Sequence, residues 1–349
     1  MHKLDIAILF GGNSSEHEIS ISSATTISEN ISKIKYNLHY LYISKDGQWY
    51  LTDGTDLEKS KIKIPATILP NSNTKKIVIF ENNQIRTIHL DAVIPVLHGK
   101  NGEDGSIQGL LQLAQIPFVG CDLHSSSACM DKVITNSILM FHGINKAKFH
   151  WFFKYEFEKD PQKCLNETEN KIKCYPMFVK PSKAGSSVGI TKVFNREELF
   201  EGIKKAAQED EKILIEESIN GQEVENAVLG NDTLTISTVG EIASAGTFYD
   251  YESKYVSENS KLYIPANISE NLIKEIQSIS AKAYKIMGCK GLARIDYFVE
   301  KNTEKIFLNE INTFPGFTSI SMYPKLMENL GITPTELIDK LINLAINNK

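Results

Sequence analysis

Three polar residues near the end of the chain, Asp296, Glu310 and Asn312, could together bind a divalent cation. Glu310 and Asn312 are two residues apart on a predicted strand, so both side chains leave the same face. The loop near Asn302–Glu304 folds 294–300 back antiparallel, which places Asp296 opposite or diagonal to Glu310. Two carboxylates and an amide oxygen suit a hard cation that also holds phosphates, as Mg²⁺ does. A solvated polar strand face is the alternative, but the flanking residues are apolar.

A loop rich in glycine and serine, Lys180–Gly189, follows the predicted strand 175–180. Backbone N–H groups in such a loop, next to a lysine, form a concavity suited to a phosphate group. Its second half, Gly185–Gly189, also reads G-x-S-x-G, which is typical of a serine nucleophile. That nucleophile needs a following helix and a later histidine, yet 188–193 looks like a strand and no histidine follows His150. A serine hydrolase is therefore disfavoured.

Two loops in the N-terminal part, Gly11–Glu16 and His98–Gly105, each follow a predicted strand. Strand ends of α/β sheets are common ligand sites, although neither loop contains the G-x-G-x-x-G dinucleotide pattern. A structural turn and a binding site both stay open for each loop on this pattern alone.

The segment 246–264 is dense in tyrosine and contains Lys254 next to Tyr255. One interpretation is an exposed amphipathic loop. The other is a mobile lid that closes over the reactants, excludes water and brings Lys254 to a phosphate.

The spacing of apolar residues predicts the elements that must position these groups. Alternating strands and helices in the first 120 residues predict a mostly parallel sheet covered by helices, with Ser14 or Ser15 capping the first helix. Strands in close succession after residue 142 indicate an α+β region, and the polar stretch 158–174 reads as a surface loop. The predicted strands are 4–10, 38–43, 76–80, 91–97, 117–120, 175–180, 188–194, 212–217, 223–229, 233–242 and a hairpin over 292–311; the predicted helices are 19–34, 104–115, 125–142, 195–208, 268–287 and one that opens with Thr333, Pro334 and Glu336.

Composition excludes several classes of protein. The 349 residues carry 38 Lys and Arg against 43 Asp and Glu, spread along the chain, which argues against a nucleic-acid binder. No apolar run is long enough to span a membrane, and the first residues lack a signal-peptide layout. The five cysteines are odd in number and have no CxxC spacing, so a reducing cytoplasm fits better than a disulfide framework.

Taken in order, the motifs resemble the D-alanine–D-alanine ligases of the ATP-grasp family. The resemblance spans nearly the whole chain, and an ordered series of motifs is far more specific than any one of them. The motifs are FGGNSSEHEIS, LHGKNGEDGSIQG, SACMDK, FVKPSKAGSSVGI, FYDYESKY, GLARID and LNEINTFPGFTSISMYP.

This resemblance implies an α/β N-terminal domain plus an α+β ATP-grasp formed by central and C-terminal domains. The expected bounds are 1–120 for the N-terminal substrate domain, 121–210 for the central domain and 211–349 for the catalytic C-terminal domain, with a lid over 244–264. The implied reaction phosphorylates the carboxylate of one D-alanine with ATP, and the amine of a second D-alanine then displaces phosphate. The product serves peptidoglycan precursors, and the resemblance further implies a cytoplasmic homodimer with no nucleic-acid or membrane partner.

The resemblance also implies roles for individual residues. Residues matched to ATP contacts are Lys132, Lys180 and Lys254 for the phosphates, Glu216 with the backbone of Glu217 and Ile219 for adenine, and Glu223 for the ribose. Residues matched to two Mg²⁺ ions, for which Mn²⁺ can substitute, are Asp296, Glu310 and Asn312. Residues matched to the amino acids and the oxyanion are Glu16, His98, Ser186, Tyr255, Arg294, the N–H of Gly316, Ser321 and the backbone of Met322.

Three alternatives stay open within and beyond this resemblance. The second substrate could be D-serine or D-lactate, although relatives that use lactate typically lack Tyr255 and those that use serine often carry arginine where Met322 stands. Another ATP-grasp carboxylate–amine ligase would share the metal ligands but not the set of Glu16, Ser186 and Tyr255. A nucleotide-binding protein without turnover is the non-enzymatic alternative. One departure from many members is Gly143-Ile-Asn-Lys-Ala, where they carry a proline-bearing turn.

We expect Lys254→Ala to keep the affinity for ATP within a modest factor yet largely abolish turnover, because a lid lysine acts on the γ-phosphate during transfer. Nucleotide binding and ADP release measured on the same preparation test this. Unchanged rates would remove the lid from the mechanism.

Overall fold

The computed structural model describes residues 2–71, 74–185, 188–243 and 261–347. Within these ranges the strands form three sheets, of seven, four and five strands, which we call the N-terminal, central and C-terminal sheets. This combination agrees with the predicted α/β domain followed by an α+β ATP-grasp. Among the described residues, every helix is too short or too polar to cross a lipid bilayer.

The N-terminal sheet is mixed rather than mostly parallel as predicted. Its order is β6-β5-β4-β3-β2-β1-β7; β2, β1 and β7 run parallel, and the other neighbours are antiparallel. Short connections between β2 and β6 allow only antiparallel neighbours. The strands are β1 (Leu4–Gly11), β2 (Tyr36–Ile43), β3 (Trp49–Thr52), β4 (Lys63–Ile68), β5 (Lys76–Glu81), β6 (Gln84–His89) and β7 (Ala92–Val96).

Helices cover both faces of β1, which is why this strand reads as a continuous apolar run. Ile6, Ile8 and Phe10 pack with helix α1 and with two C-terminal helices. Ala7 and Leu9 face the opposite side, where they share a core with helix α2. The helices are α1 (His17–Asn30), α2 (Ser106–Leu113), α3 (Leu123–Met130) and α4 (Lys132–Phe141).

The loop after β1 differs in detail from the prediction. Helix α1 begins at His17 with Glu16 as its N-cap residue, and neither predicted serine caps it. Ser14 Oγ instead accepts from the N–H of Glu16 at 3.2 Å and donates to the carbonyl of His98 at 2.8 Å. The serine thus joins the loops that follow β1 and β7, because parallel neighbours end at the same sheet edge.

The central sheet has the order β10-β9-β11-β8. In the part of the chain that the structure describes, three helices pack on it to form a core, and the sequence predicted only one of them, at 195–208. The prediction of a surface loop over 158–174 is wrong, since helix α6 fills most of it. Asp160 accepts from the N–H of Lys163, Pro161 opens the helix, and its buried side chains recur at helical spacing. The elements are β8 (Phe149–Phe153), α5 (Lys154–Lys159), α6 (Pro161–Ile172), β9 (Met177–Pro181), β10 (Thr191–Val193), α7 (Arg196–Glu209) and β11 (Lys212–Glu217).

The C-terminal sheet has the order β14-β13-β12-β15-β16 and packs against helix α8. The last helix, α10, begins as predicted, with Thr333 and Glu336 forming a capping box and Pro334 in the first turn. The elements are β12 (Gly221–Gly230), β13 (Leu234–Ala243), β14 (Lys261–Tyr263), α8 (Glu270–Ile286), β15 (Leu292–Glu300), β16 (Ile306–Asn312), α9 (Met322–Asn329) and α10 (Pro334–Ile346).

The predicted domain bounds stay a prediction. The cut at 210 lies just before β11, a strand that pairs with β8 and β9 of the central sheet. A division that keeps each sheet whole would fall after Glu217.

We expect Gly11→Ala to lower the free energy of unfolding by about 3 kcal/mol, since strain at positive φ and a steric clash add there. Gly11 has a φ of +92°, and a Cβ there would lie 2.2 Å from the carbonyl oxygen of Ile43. Chemical denaturation measures the change.

Gly47→Ala is the matched control, because Gly47 has a φ of +83° but a Cβ there would have no neighbour within 4 Å. Gly47→Ala should lower the free energy of unfolding by only about 1 kcal/mol, which is the cost of the backbone strain alone. Equal losses in the two variants would contradict the packing argument.

Candidate active site

A cleft of about 820 Å³ lies where the three sheets meet. The loops after β1 and β7 supply Glu16 and His98, and the central sheet supplies Lys180 and Glu216. Further side chains of the wall come from helix α4 and the C-terminal sheet: Lys132, Glu223, Arg294, Glu310 and Asn312. Polar groups from distant parts of the sequence therefore converge on one concave surface, as in most ligand sites.

A buried ion pair joins neighbouring strands of the central sheet. Lys180 Nζ on β9 lies 2.7 Å from Glu216 Oε2 on β11, and Asn136 Nδ2 donates to Glu216 Oε1 at 2.9 Å. Burial opposes both charges, but the partner's charge prevails: the pKa of Lys180 is raised and that of Glu216 is lowered. Both side chains therefore stay ionised and fixed in the cleft wall.

The segment between β11 and β12 forms the adjoining wall. Glu217, Ile219 and Glu223 all line the cleft. The carboxylate of Glu217 is engaged by Lys148, whose Nζ lies 3.0 Å and whose backbone N lies 2.7 Å from its oxygens. Its side chain is thus held by Lys148, which leaves the backbone as the part of Glu217 suited to a ligand.

The two strands β15 and β16 bring the predicted metal ligands together. Asp296 lies directly opposite Glu310, and Asn312 lies opposite Arg294. Asn312 Nδ2 is 3.0 Å from Asp296 Oδ2, and Lys132 Nζ is 3.8 Å from Glu310 Oε2. Of the side chains that the sequence predicted to converge, Glu310 and Asn312 line the cleft, and Asp296, which is 2% exposed, contacts Asn312.

Arg294 holds the buried carboxylate of Asp296 through two hydrogen bonds. Its Nε and Nη2 donate to Asp296 at 2.8 and 2.7 Å, and its Nε lies 3.0 Å from Glu225 Oε2. A planar guanidinium between two acidic side chains is a rigid arrangement.

The donor set of Asp296, Glu310 and Asn312 fits a hard cation. Within the described residues, no group of three or more His, Cys, Asp or Glu side chains could hold a metal ion alone. Because Mg²⁺ takes six ligands, a cation bound by two carboxylates and an amide would need further oxygen ligands, such as phosphate oxygens.

The part of the cleft that the N-terminal loops line contains Glu16, which is 7% exposed. Two glycines border its carboxylate: a Cβ would lie 2.5 Å from Glu16 Oε2 at Gly99 and 3.0 Å at Gly185. His98 lies nearby, where burial lowers the pKa of its imidazole although the charge of Glu16 acts in the opposite direction. This part of the cleft is suited to a small ligand that carries a positive group.

A loop from β16 to helix α9 carries the remaining predicted residues. Gly316 lines the cleft, and a Cβ there would lie 3.0 Å from Ser321 Oγ. Ser321 precedes α9, and Thr318 N donates to its Oγ at 3.1 Å. The side chain of Met322 is 3% exposed and packs in the core, so only its backbone is suited to a ligand. Ser186, Lys254 and Tyr255 lie outside the described residues.

Two family models match most of the chain. The model described as D-ala D-ala ligase N-terminus matches residues 5–121, and the model described as D-ala D-ala ligase C-terminus matches residues 138–343. The chain belongs to the D-alanine–D-alanine ligase family. Membership agrees with the resemblance noted in the sequence and with the observed sheets.

Individual relatives resemble this family member over nearly their whole length. A D-alanine–D-alanine ligase of Caldicellulosiruptor bescii is 46% identical and aligns with 99% of this chain and 96% of its own. The structure of VanG D-Ala:D-Ser ligase from Enterococcus faecalis has a TM-score of 0.89 at 41% identity, covering 99% of this chain and 100% of that chain. The structure of the D-alanine-D-alanine ligase from Coxiella burnetii has a TM-score of 0.85 at 35% identity, covering 99% of this chain and 96% of that chain.

Sequence reasoning about this family member missed two charged residues near the cleft. Glu103 lines the wall, and its Oε2 accepts from the N–H of Gly99 at 2.8 Å. Burial and the neighbouring charge of Glu16 raise the pKa of Glu103 well above its ordinary value. Lys146 is 7% exposed, and burial lowers its pKa to about 7. Both lie in motifs that the sequence had singled out, but nothing local shows that they turn inward.

We expect Glu216→Gln to lower the free energy of unfolding by about 3 kcal/mol, because it leaves the buried ammonium of Lys180 without its counter-charge. Chemical denaturation of the ligand-free protein measures this.

Glu217→Gln makes the same chemical change at the next position and serves as the control. Its partner Lys148 has a side chain that is 62% exposed, so the loss should stay within about 1 kcal/mol. A larger loss at Glu217 than at Glu216 would contradict the assignment of the buried pair.

Proposed function

We propose that the protein joins two D-alanine molecules into D-alanyl-D-alanine with ATP, as a step in making peptidoglycan precursors. The observation that carries this proposal is the set of charged groups that share one cleft. Lysines and oxygen donors suited to a metal line it near β15 and β16, and the buried Glu16 of an N-terminal loop lines the same cleft. A triphosphate bound by the former groups and an amino acid bound at Glu16 would therefore lie in one site.

The chemistry requires an activated carboxylate, because a free carboxylate is a poor electrophile. A carboxylate oxygen of the first D-alanine attacks the γ-phosphorus of ATP, which releases ADP and forms an acylphosphate. The amine of the second D-alanine attacks the acyl carbon, and inorganic phosphate leaves with the C–O electron pair while the amine loses a proton. Positioning and charge neutralisation supply most of the rate in such reactions.

The nucleotide is assigned to the wall formed by the central sheet and the segment after β11. Lys132, Lys180 and Lys254 would hold the phosphates, with Lys254 acting from the lid. Glu216 and the backbone of Glu217 and Ile219 would contact adenine, and Glu223 the ribose. The fixed Lys180–Glu216 pair supports this, since a rigid charged wall orients a polar ligand without reorganising.

Asp296, Glu310 and Asn312 would bind two Mg²⁺ ions, for which Mn²⁺ can substitute. The ions neutralise charge on the phosphates during transfer. Arg294 and the N–H of Gly316 would stabilise the oxyanion of the tetrahedral intermediate, a role worth about 3 kcal/mol for each donor.

The amino acids are assigned to the N-terminal loops and the start of α9. Glu16 would pair with the ammonium group of the first D-alanine, and His98 would lie near its carboxylate. Ser186 and Tyr255 would join Glu16 in a hydrogen-bonded set that ties the lid to the N-terminal domain. Ser321 and the backbone of Met322 would bind the carboxylate of the second substrate.

D-Serine is the second candidate for the attacking amino acid, because the VanG structure resembles this chain closely and is a D-Ala:D-Ser ligase by its description. The buried, apolar side chain of Met322 favours D-alanine, since it offers no group to bind a hydroxyl. We also infer a cytoplasmic homodimer, on the basis of the family resemblance and the use of ATP.

We expect ADP and phosphate release that depends on D-alanine, with D-alanyl-D-alanine identified by mass spectrometry. A coupled ADP-release assay with D-alanine paired with D-serine or D-lactate, and with L-alanine alone, compares the alternatives at neutral pH. Faster turnover with D-serine or equal turnover with D-lactate would overturn the choice of D-alanine. Nucleotide binding without any amino-acid-dependent turnover would overturn the ligase proposal itself.

A further inference from the structure

The short loop between α4 and β8 is where this chain departs from the proline-bearing turn of many relatives. Two of its residues reach strand β16. The carbonyl of Asn145 accepts from the N–H of Leu308 at 3.0 Å, and Lys146 Nζ donates to the carbonyl of Asn309 at 2.6 Å. The loop therefore contacts backbone groups of two successive residues, Leu308 and Asn309, in the strand that carries Glu310.

These backbone groups lie at a β-bulge. Asp296 pairs with Glu310, but its neighbour Tyr297 pairs with Leu308, so Asn309 is the extra residue of β16. An extra residue loses its regular partners in the ladder, and buried backbone groups need replacements. Asn145 and Lys146 supply two of them.

The bulge decides which way Glu310 points. Leu308 and Glu310 would share one face of a regular strand, because side chains alternate. Their partners Tyr297 and Asp296 are successive residues and face opposite sides. With Asn309 inserted, Leu308 packs in the same core as Tyr297 and is 1% exposed, although it also borders the cleft, while the side chain of Glu310 is 25% exposed in the cleft.

Lys146 is a buried lysine with charged groups on several sides. Burying an ammonium group costs free energy unless partners compensate for it. Its charge is attracted by Glu216 and Glu310 and repelled by Lys132 and Lys180, and all four line the cleft. Because both the ammonium and the amine form can donate, the hydrogen bond to Asn309 does not depend on protonation.

We propose that Lys146 is a positioning residue, which secures the bulge at Asn309 and so directs the Glu310 carboxylate into the cleft. This inference rests on the proposed function only in that Glu310 is taken as a metal ligand. Lys146 would not touch the reactants. Residues that orient a metal ligand without touching the metal act in this way, and their loss weakens metal binding by about 10- to 100-fold.

The test is Lys146→Met, which keeps the length and apolar stem of the side chain but removes the donor. We expect the Mg²⁺ concentration that half-saturates turnover to rise about tenfold, while KM for D-alanine changes by less than about twofold. Mn²⁺ binding with the non-hydrolysable analogue AMP-PNP, followed by electron paramagnetic resonance, should show the same loss of metal affinity without any turnover.

Lys159→Met is the matched control, because Lys159 is an exposed lysine at the end of α5; its metal affinity should equal that of the wild type. Lys146→Gln keeps a shorter donor and should give a smaller loss, and it replaces Lys146→Met if that variant does not fold by circular dichroism. Unchanged Mn²⁺ affinity in a folded Lys146 variant, or equal losses for metal and D-alanine, would overturn the positioning role. Absence of D-alanine-dependent turnover in the wild type would instead overturn the proposed function.

Discussion

The antiparallel pairing of β15 with β16 is the constraint on which the cleft depends. It places Asp296 opposite Glu310 and Arg294 opposite Asn312, so the polar groups of the two strands become immediate neighbours. Like charges this close repel each other, and each carboxylate is accordingly accompanied by a cationic side chain: Arg294 for Asp296, and Lys132 for Glu310. The pairing therefore determines the positions of the oxygen donors, and it also explains why cationic side chains must surround them.

Buried charge is tolerated here because it is paired and held on rigid elements. The Lys180–Glu216 pair joins adjacent strands of the central sheet. The N-terminal side of the cleft is fixed differently, by a core in which helices α9 and α10 pack on the same face of the N-terminal sheet as α1. The N-terminal loops are thereby attached to the sheet that carries Glu310. Binding energy can then be used on the reactants instead of on ordering the protein.

The elements with strong local signals could be predicted from the sequence. The buried run 4–10, the capping box at Thr333 and the hairpin that brings Asp296 opposite Glu310 all appear as expected. Helix α6 was mistaken for a loop because its polar composition hid a narrow stripe of buried residues. The mixed sheet was mistaken for a mostly parallel one because the antiparallel strands β3, β4 and β6 were not predicted, and a strand as short as β3 shows little periodicity over its four residues.

The sequence by itself determined which residue types could do the chemistry, since carboxylates, lysines and glycines at fixed spacings restrict the possible ligands, and the order of motifs identified the family. Only the tertiary structure decided which of them meet. The bulge at Asn309, the contact of Lys146 with β16 and the proximity of Glu103 to Glu16 appear only in the structure. Their positions follow from strand register and from the need to satisfy buried backbone groups, and neither leaves a local periodic signal.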